Sequence, residues 1–215
     1  MSVSTRAAAA APGRPERPAE RSRSATRARL LAAGRSLFAE RGLHGVTTHD
    51  IAAAAGVAAG TFYLHFRDKR EILRVITAET IALLRERLEL ATRDARGSRE
   101  AVPAFSDALL AFAEEHRERV RILFSREGDA AELQANVLSE LAGSLALARR
   151  QRIAARELSA ELDPEVLSQA LVGMLARVIA WWVEDPSRAS RESVARNLTR
   201  IQLSGTHPRP RGPEE

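Results

Sequence analysis

Two closely spaced breaks within residues 26–73, TRARLLAAGRSLFAERGLHGVTTHDIAAAAGVAAGTFYLHFRDKREIL, constrain this chain more than any other feature. Leu30, Leu31, Gly34, Leu37 and Phe38 recur at three- and four-residue spacing, which gives a first helix one apolar face. Gly42 and Gly45 end it. A second helix opens at Val46-Thr47-Thr48, where a threonine hydroxyl caps it; Thr47 with Asp50 three residues on resembles a capping box. It runs through Ile51 to Ala55 and stops at Gly56, which has the backbone freedom a sharp helix–helix turn requires, with Val57 turned inward. A short third helix spans about Ala58 to Phe66, and a fourth begins at Asp68, whose carboxylate caps it while Glu71 answers three residues later. Short helix, tight turn, short helix is a layout that can set one small helix against the major groove of DNA.

Almost everything beyond reads helical, so the expected class is all-α with about nine helices. The fourth helix should reach about Arg96, with Ile72, Val75, Ile76, Leu83, Leu84, Leu88 and Leu90 facing a core, and Gly97-Ser98 breaks it. A fifth carries Val102, Phe105, Leu109 and Phe112; a short sixth spans His116 to Arg126; a long seventh, Asp129 to about Leu158, carries Leu133, Val137, Leu141 and Leu145. Asp163-Pro164 starts an eighth, with Asp capping and Pro tolerated at the first helical position, and Asp185-Pro186 ends it. The ninth runs from about Ser190 to Leu203. The expected organisation is a basic disordered tail over 1–24, a helix-turn-helix domain over 25–70, a helical domain over 71–204 and a tail over 205–215.

The charge is uneven. The chain carries +5 in total, but Met1 to Glu71 holds twelve Lys/Arg against six Asp/Glu, and the remainder twenty-one against twenty-two. The basic excess thus lies in the third that holds the candidate reading head, where attraction to phosphate needs it. The chain contains no cysteine, which removes disulfides, thiolate metal sites and cysteine nucleophiles together. Arg and Glu interrupt the apolar runs before the ~20 residues of a membrane span, and the Ala7–Ala11 run leads into an Arg/Pro segment rather than a signal peptide. No membrane partner is expected, and the expected location is the cytoplasm.

Groove reading needs a slim helix with small residues at its leading end, and Ala58, Ala59 and Gly60 supply them. Behind them Thr61, Tyr63 and His65 offer hydroxyl and imidazole groups to phosphates and base edges, and Phe62 and Phe66 anchor the helix to the body. Lys69 can neutralise a phosphate, with Arg67 and Arg70 close by, and the helix starts at Thr47/Thr48 and Asp68 add backbone N–H groups.

Residues 26–73 resemble the DNA-binding domain of the TetR/AcrR family of bacterial transcriptional regulators. The resemblance rests on FAERG, LHGVTT, HDIA, AGV, Gly60-Thr61, Tyr63, His65-Phe66 and Lys69. It implies operator contacts by Thr48, Ala58, Ala59, Gly60, Thr61, Tyr63, His65 and Lys69. The chain departs from the family where Ala58-Ala59 replaces a frequent Ser-Lys and Leu64 replaces a second aromatic. His49, Arg67 or the N-terminal arginines (Arg6, Arg14, Arg17, Arg21 and Arg23) are expected to make up part of that loss, and Thr47 joins the expected DNA-binding set.

The eighth helix carries Leu167, Leu171, Met174, Val178 and Trp181 in four-three spacing, a narrow seam, and the ninth carries Val194, Leu198 and Ile201. Either these residues pack within the chain, or the two helices pair with their copies in a homodimer as a four-helix bundle; the resemblance favours the dimer. Two heads held about 34–36 Å apart then read a palindrome in double-stranded DNA. The resemblance also implies a cavity for a small hydrophobic effector, with Phe105, Leu109, Phe112, Leu123, Phe124, Val137, Leu141 and Leu175 as candidate walls and His116, Arg121, Gln134 and Asn136 as candidate polar contacts.

No P-loop, Gly-x-Ser-x-Gly, HExxH or GxGxxG pattern is present, and the five histidines are scattered, so neither catalysis, a cofactor nor a metal is expected. The reading is a DNA-binding transcriptional regulator, a repressor released by a small apolar ligand. The alternatives are activation, a helical protein-interaction module with a degenerate head, and a helical-bundle enzyme.

Overall fold

The computed structural model describes residues 17–124, 128–155 and 161–204, with side chains in the long seventh helix from Ala135 onward. The described residues form nine α-helices and no strand: α1 (Pro18–Arg41), α2 (Thr48–Ala54), α3 (Ala59–Tyr63), α4 (Lys69–Thr92), α5 (Ser98–Glu115), α6 (Arg117–Leu123), α7 (Gly128–Ala154), α8 (Pro164–Glu184) and α9 (Arg191–Ser204), with a 3-10 turn at Pro186–Arg188.

Helix α1 starts at Pro18, inside the segment expected to be a tail up to residue 24. Proline suits a first helical position because the N–H it lacks has no intrahelical partner there. Gly42 ends the helix at φ 68°, its N–H donating to the Phe38 carbonyl at 3.0 Å. Gly45 is required for a different reason: a Cβ there would lie 2.4 Å from the Arg41 carbonyl oxygen. Gly34 is a close-approach residue, since its added Cβ would meet Ile72 of α4 at 2.8 Å.

Two apolar cores result. Leu30, Phe38, Leu43, Val46, Ile51, Phe62, Phe66, Ile72 and Ile76 enclose the core of the N-terminal head, and each such large side chain contributes about 1.5–3 kcal/mol of burial free energy. Because Ile72, Leu73 and Ile76 belong to it, the head's core extends past the expected boundary at residue 70. The second core joins Leu110, Phe112, Val120, Leu175, Ile179, Trp182 and Val183 of the body, and the Trp182 indole N–H donates to the Ala189 carbonyl at 2.8 Å.

Helix α4 serves both cores, Ile72 and Ile76 in the head and Leu84 and Leu88 against the body. Leu83 and Leu90, expected in the core, are exposed. Each four-residue step turns the packed row about 40° around the axis, so the covered face has rotated away from the side on which Leu83 and Leu90 sit with Ile72.

Two further differences concern α8 and α9. By length and composition α8 could cross a membrane, with a mean hydropathy of 1.6 over its best stretch, contrary to the expectation that Arg and Glu interrupt the apolar runs too early for a span. In the fold it places Leu175, Ile179, Trp182 and Val183 in the body's core. Val194 and Leu198, expected at a subunit interface, are buried in that same core, because α9 lies along α5 and turns them inward.

Candidate nucleic-acid interface and ligand cavity

The α2–α3 unit is assembled by its own capping groups. The Thr47 Oγ1 accepts the Asp50 N–H at 3.1 Å and donates to the Asp50 carboxylate at 2.6 Å, which in turn accepts the Thr47 N–H at 2.8 Å. These bonds hold the Asp50 carboxyl below the usual carboxylate range. Gly56 makes the turn at φ 65°, and the Arg29 guanidinium of α1 clamps it by donating to its carbonyl at 3.1 Å. Phe62 and Phe66 face inward, nearly solvent-free, and so set the rotation of α3.

With Phe62 inward, the opposite surface of α3 is left to solvent. Ala58, Ala59 and Gly60 are exposed, and nothing lies within 4 Å of a Cβ built at Gly60, so the leading end of the helix is bare. Tyr63 is 61% exposed and Leu64 70%. The hydroxyls of Tyr63 and Thr48 hydrogen-bond at 3.0 Å. Thr47 and His49 are exposed, and Thr48 and Thr61 half-buried. The structure thus brings the expected α2 and α3 residues onto one unit.

His65 is half-buried beside α1. Burial, and then the positive charges of Arg23 and Arg27, push its imidazole below the ordinary histidine range. The Arg27 guanidinium also stands 5.0 Å from the centre of the Phe66 ring. Sequence patterns single out Arg23 only as part of a basic tail and do not mark Arg27 or Arg29. The signal that could have found them is the i, i+4 spacing of Arg23 and Arg27, legible once the helix is known to start before Ser24.

Lys69 differs from its expected use. Its ammonium donates to the carbonyls of Leu43 and Val46, each at 2.8 Å. Two of its three donors are therefore engaged with the α1–α2 turn, and one is left for any phosphate. Beside it, the Arg67 N–H donates to the Glu71 carboxylate at 2.7 Å, which holds that carboxyl low.

The body holds an apolar cavity of about 190 Å³. Phe105, Leu109, Phe112, Leu123, Phe124, Leu141 and Leu175, all candidates from the sequence, line it, with Leu84 and Leu88 of α4, Val120 of α6, Leu138 and Leu145 of α7 and Ile179 of α8. Arg85 at its edge is the one charged lining residue among the described residues, and it pairs with Glu140 of α7 at 2.9 Å. Such a wall holds water poorly and favours an apolar guest. Four candidates are not part of this wall: His116, Val137, Asn136 and Arg121, the last of which lines a separate cleft with Arg41 and Arg177. His116 packs against Phe112 with ring centres 4.6 Å apart and planes tilted by 59°, and lines a separate polar cleft with Arg35 and Glu115, because the α5–α6 break turns it outward. Val137 is buried away from the cavity, one position from Leu138. Asn136 is exposed, and the Gln134 side chain lies outside the described residues.

Helix α6 joins cavity to head. Val120, Leu123 and Phe124 at its end line the cavity, whereas Ile122 inserts into the head's core. Glu118 pairs with Arg35 of α1 at 3.5 Å. Of the expected interface residues, Leu167, Leu171, Met174 and Val178 are half-buried, while Trp181 and Ile201 are 37% and 42% exposed. The most exposed apolar side chains of this region, Leu162 at 61% and Val166 at 69%, precede that seam.

Comparison with known proteins matches this architecture. The model of the family described as bacterial regulatory proteins, tetR family, matches residues 30–76, the α1–α4 unit. The fatty acid metabolism regulator protein of Bacillus subtilis (strain 168) is 24% identical over 182 residues, which span 83% of this chain and 94% of that protein. The transcriptional repressor KstR2 of Rhodococcus jostii (strain RHA1) is 39% identical over 84 residues, 37% of this chain and 41% of that one. Among solved structures, the transcriptional regulator FadR from Bacillus subtilis in complex with stearoyl-CoA superimposes with a TM-score of 0.70 at 20% identity, covering 84% of this chain and 99% of that one. The helix-turn-helix head, residues 30–76, thus matches the tetR family of bacterial regulatory proteins, and the helical body behind it has the fold of the solved regulator.

Proposed function

We propose that this regulator is a homodimeric repressor that binds a palindromic operator through two α3 helices and is released by a small apolar ligand. The observation that carries the reading is the placement of α6, with Ile122 in the head's core and Val120, Leu123 and Phe124 on the cavity. A guest that displaces α6 must also move side chains on which the head is packed. Helix α4, continuous from its Asp68 cap to Leu88 at the cavity, gives a second path. The heads then change separation, and only a ligand that binds the second arrangement more tightly can drive the change.

On the DNA side the proposed contacts are Thr47, Thr48, His49, Ala58, Ala59, Gly60, Thr61, Tyr63 and His65, with the remaining donor of Lys69. The dimer contacts are proposed on the exposed face of α8 and the end of α9, through Trp181 and Ile201 with the half-buried seam. A long-chain acyl compound is the first effector to try. The apolar wall supports it, as do the name of the Bacillus subtilis relative and the stearoyl-CoA held by the similar structure.

The test begins with genomic fragments selected on the full-length protein. Their affinity should show sequence preference and fall steeply with salt, and an acyl ligand should release them. Leu141→Trp, which fills the cavity, should bind the same DNA and lose the release. Binding without sequence preference and with a shallow salt slope would favour instead a protein-interaction module, for which exposed Leu64 beside Ala58 and Ala59 is the supporting observation.

A further inference from the structure

We infer that the arginine-lined cleft between head and body seats the phosphate-bearing head of an amphipathic ligand whose apolar tail lies in the cavity; this rests on the ligand reading above. The cleft, of about 440 Å³, is bounded by Arg41 at the end of α1, Arg121 on α6 and Arg177 on α8. Val120 and Phe124 of α6 line both the cleft and the apolar cavity, so the two spaces adjoin across the same side chains.

The charges in the cleft do not cancel. Its carboxylates are Glu40 and Glu184. Glu40 is paired with Arg41 at 3.6 Å, and Glu184 with Arg188, outside the cleft, at 3.2 Å. Arg121 and Arg177 make no ion pair or hydrogen bond among the described residues. Two guanidinium groups on different helices therefore line one space without an ion-pair partner among the described residues. Guanidinium forks suit phosphate oxygens in a bidentate manner, whereas a single carboxylate would answer only one of them. An apolar chain ending in a phosphorylated carrier matches both spaces at once, and an acyl-coenzyme A thioester has that form. A head group so held would also touch Arg41, one residue before the glycine that ends α1, and so would couple ligand chemistry to the orientation of the head.

The experiment uses the full-length protein with stearoyl-CoA and stearate as probes, in the wild type, Arg121→Ala and Arg121→Ala/Arg177→Ala. The wild type should bind stearoyl-CoA at least about tenfold more tightly than stearate, as loss of charge-assisted contacts implies. The double variant should lose that preference, with a smaller fall in stearate affinity than in stearoyl-CoA affinity, while keeping its thermal unfolding and its ligand-free operator affinity, since both side chains are exposed. Arg121→Ala, which leaves α8 untouched, should lose part of it. An undiminished preference in the double variant overturns the inference, as does a fall in ligand-free operator affinity, which would assign the cleft to DNA. A wild type that binds stearate without preferring the thioester removes this inference alone; one that binds neither removes the acyl-ligand reading with it.

Discussion

The hydroxyls of Thr48 and Tyr63 meet at 3.0 Å, joining the first turn of α2 to the last residue of α3. The bond ties α2 to α3 and uses one of the two hydroxyl protons, so the other remains free to donate to a phosphate oxygen. Thr48→Val and Tyr63→Phe should each weaken operator binding about threefold to tenfold, while unfolding free energy changes by less than about 1 kcal/mol because the pair is exposed. In a double-mutant cycle the two losses should be non-additive. Unchanged affinity for both variants in an anisotropy titration would remove the pair from the interface.

Lys69 should behave as a structural residue first. Lys69→Met keeps the aliphatic stem but leaves the Leu43 and Val46 carbonyls without their donor. Urea unfolding should show a loss of about 1–3 kcal/mol. A residue that only touched phosphate would leave the urea midpoint where it is.

His65 should make operator binding pH-dependent. In the free protein its pKa lies below the ordinary value because of burial and of Arg23 and Arg27. The folded, DNA-free state therefore binds fewer protons than the unfolded chain in this range, and stability falls as pH drops through it. A phosphate beside the three groups favours the imidazolium, so the complex takes up a proton. Affinity should accordingly rise as pH falls from about 7.5 to 6, and His65→Gln should flatten the profile. A wild-type profile already flat over that range would place phosphate away from His65.

For the subunit contact, Val166→Asp and Trp181→Asp should yield folded monomers by sedimentation, because both side chains are exposed in the single chain. Leu198→Asp should instead unfold the body, since Leu198 is 2% exposed and an unpaired charge there has no compensating partner. A wild type that sediments as a monomer at micromolar concentration would dispose of the proposed dimer.

Local chemistry in this chain was readable because its signals act over a few residues. Thr47 with Asp50 and Asp163 with Pro164 start helices as their spacing implies, and Asp68 caps α4 by accepting the Glu71 N–H, although the Glu71 carboxylate answers Arg67 rather than Asp68. Gly42 and Gly56 sit at positive φ where the two breaks were expected. The cavity wall was legible in part, since Phe105, Leu109 and Phe112 on α5 and Leu141 on α7 fall on apolar faces with helical period. His116 was misplaced because a break, rather than a period, decides where it points. Val194 and Leu198 were misplaced because an apolar stripe looks the same whether it is covered by α5 or by another subunit.

Sequence alone determined the order and caps of the helices, the two sharp turns and the small, bare leading end of α3. Each depends on neighbours within about four residues, where side-chain chemistry and backbone sterics suffice. Only the tertiary structure decided that Lys69 bolts the α1–α2 turn, that Arg23 and Arg27 stand beside His65, and that Ile122 enters one core while Val120 and Phe124 border two cavities. Those relationships join residues tens of positions apart, and a periodic pattern specifies which face of a helix is buried without specifying what buries it.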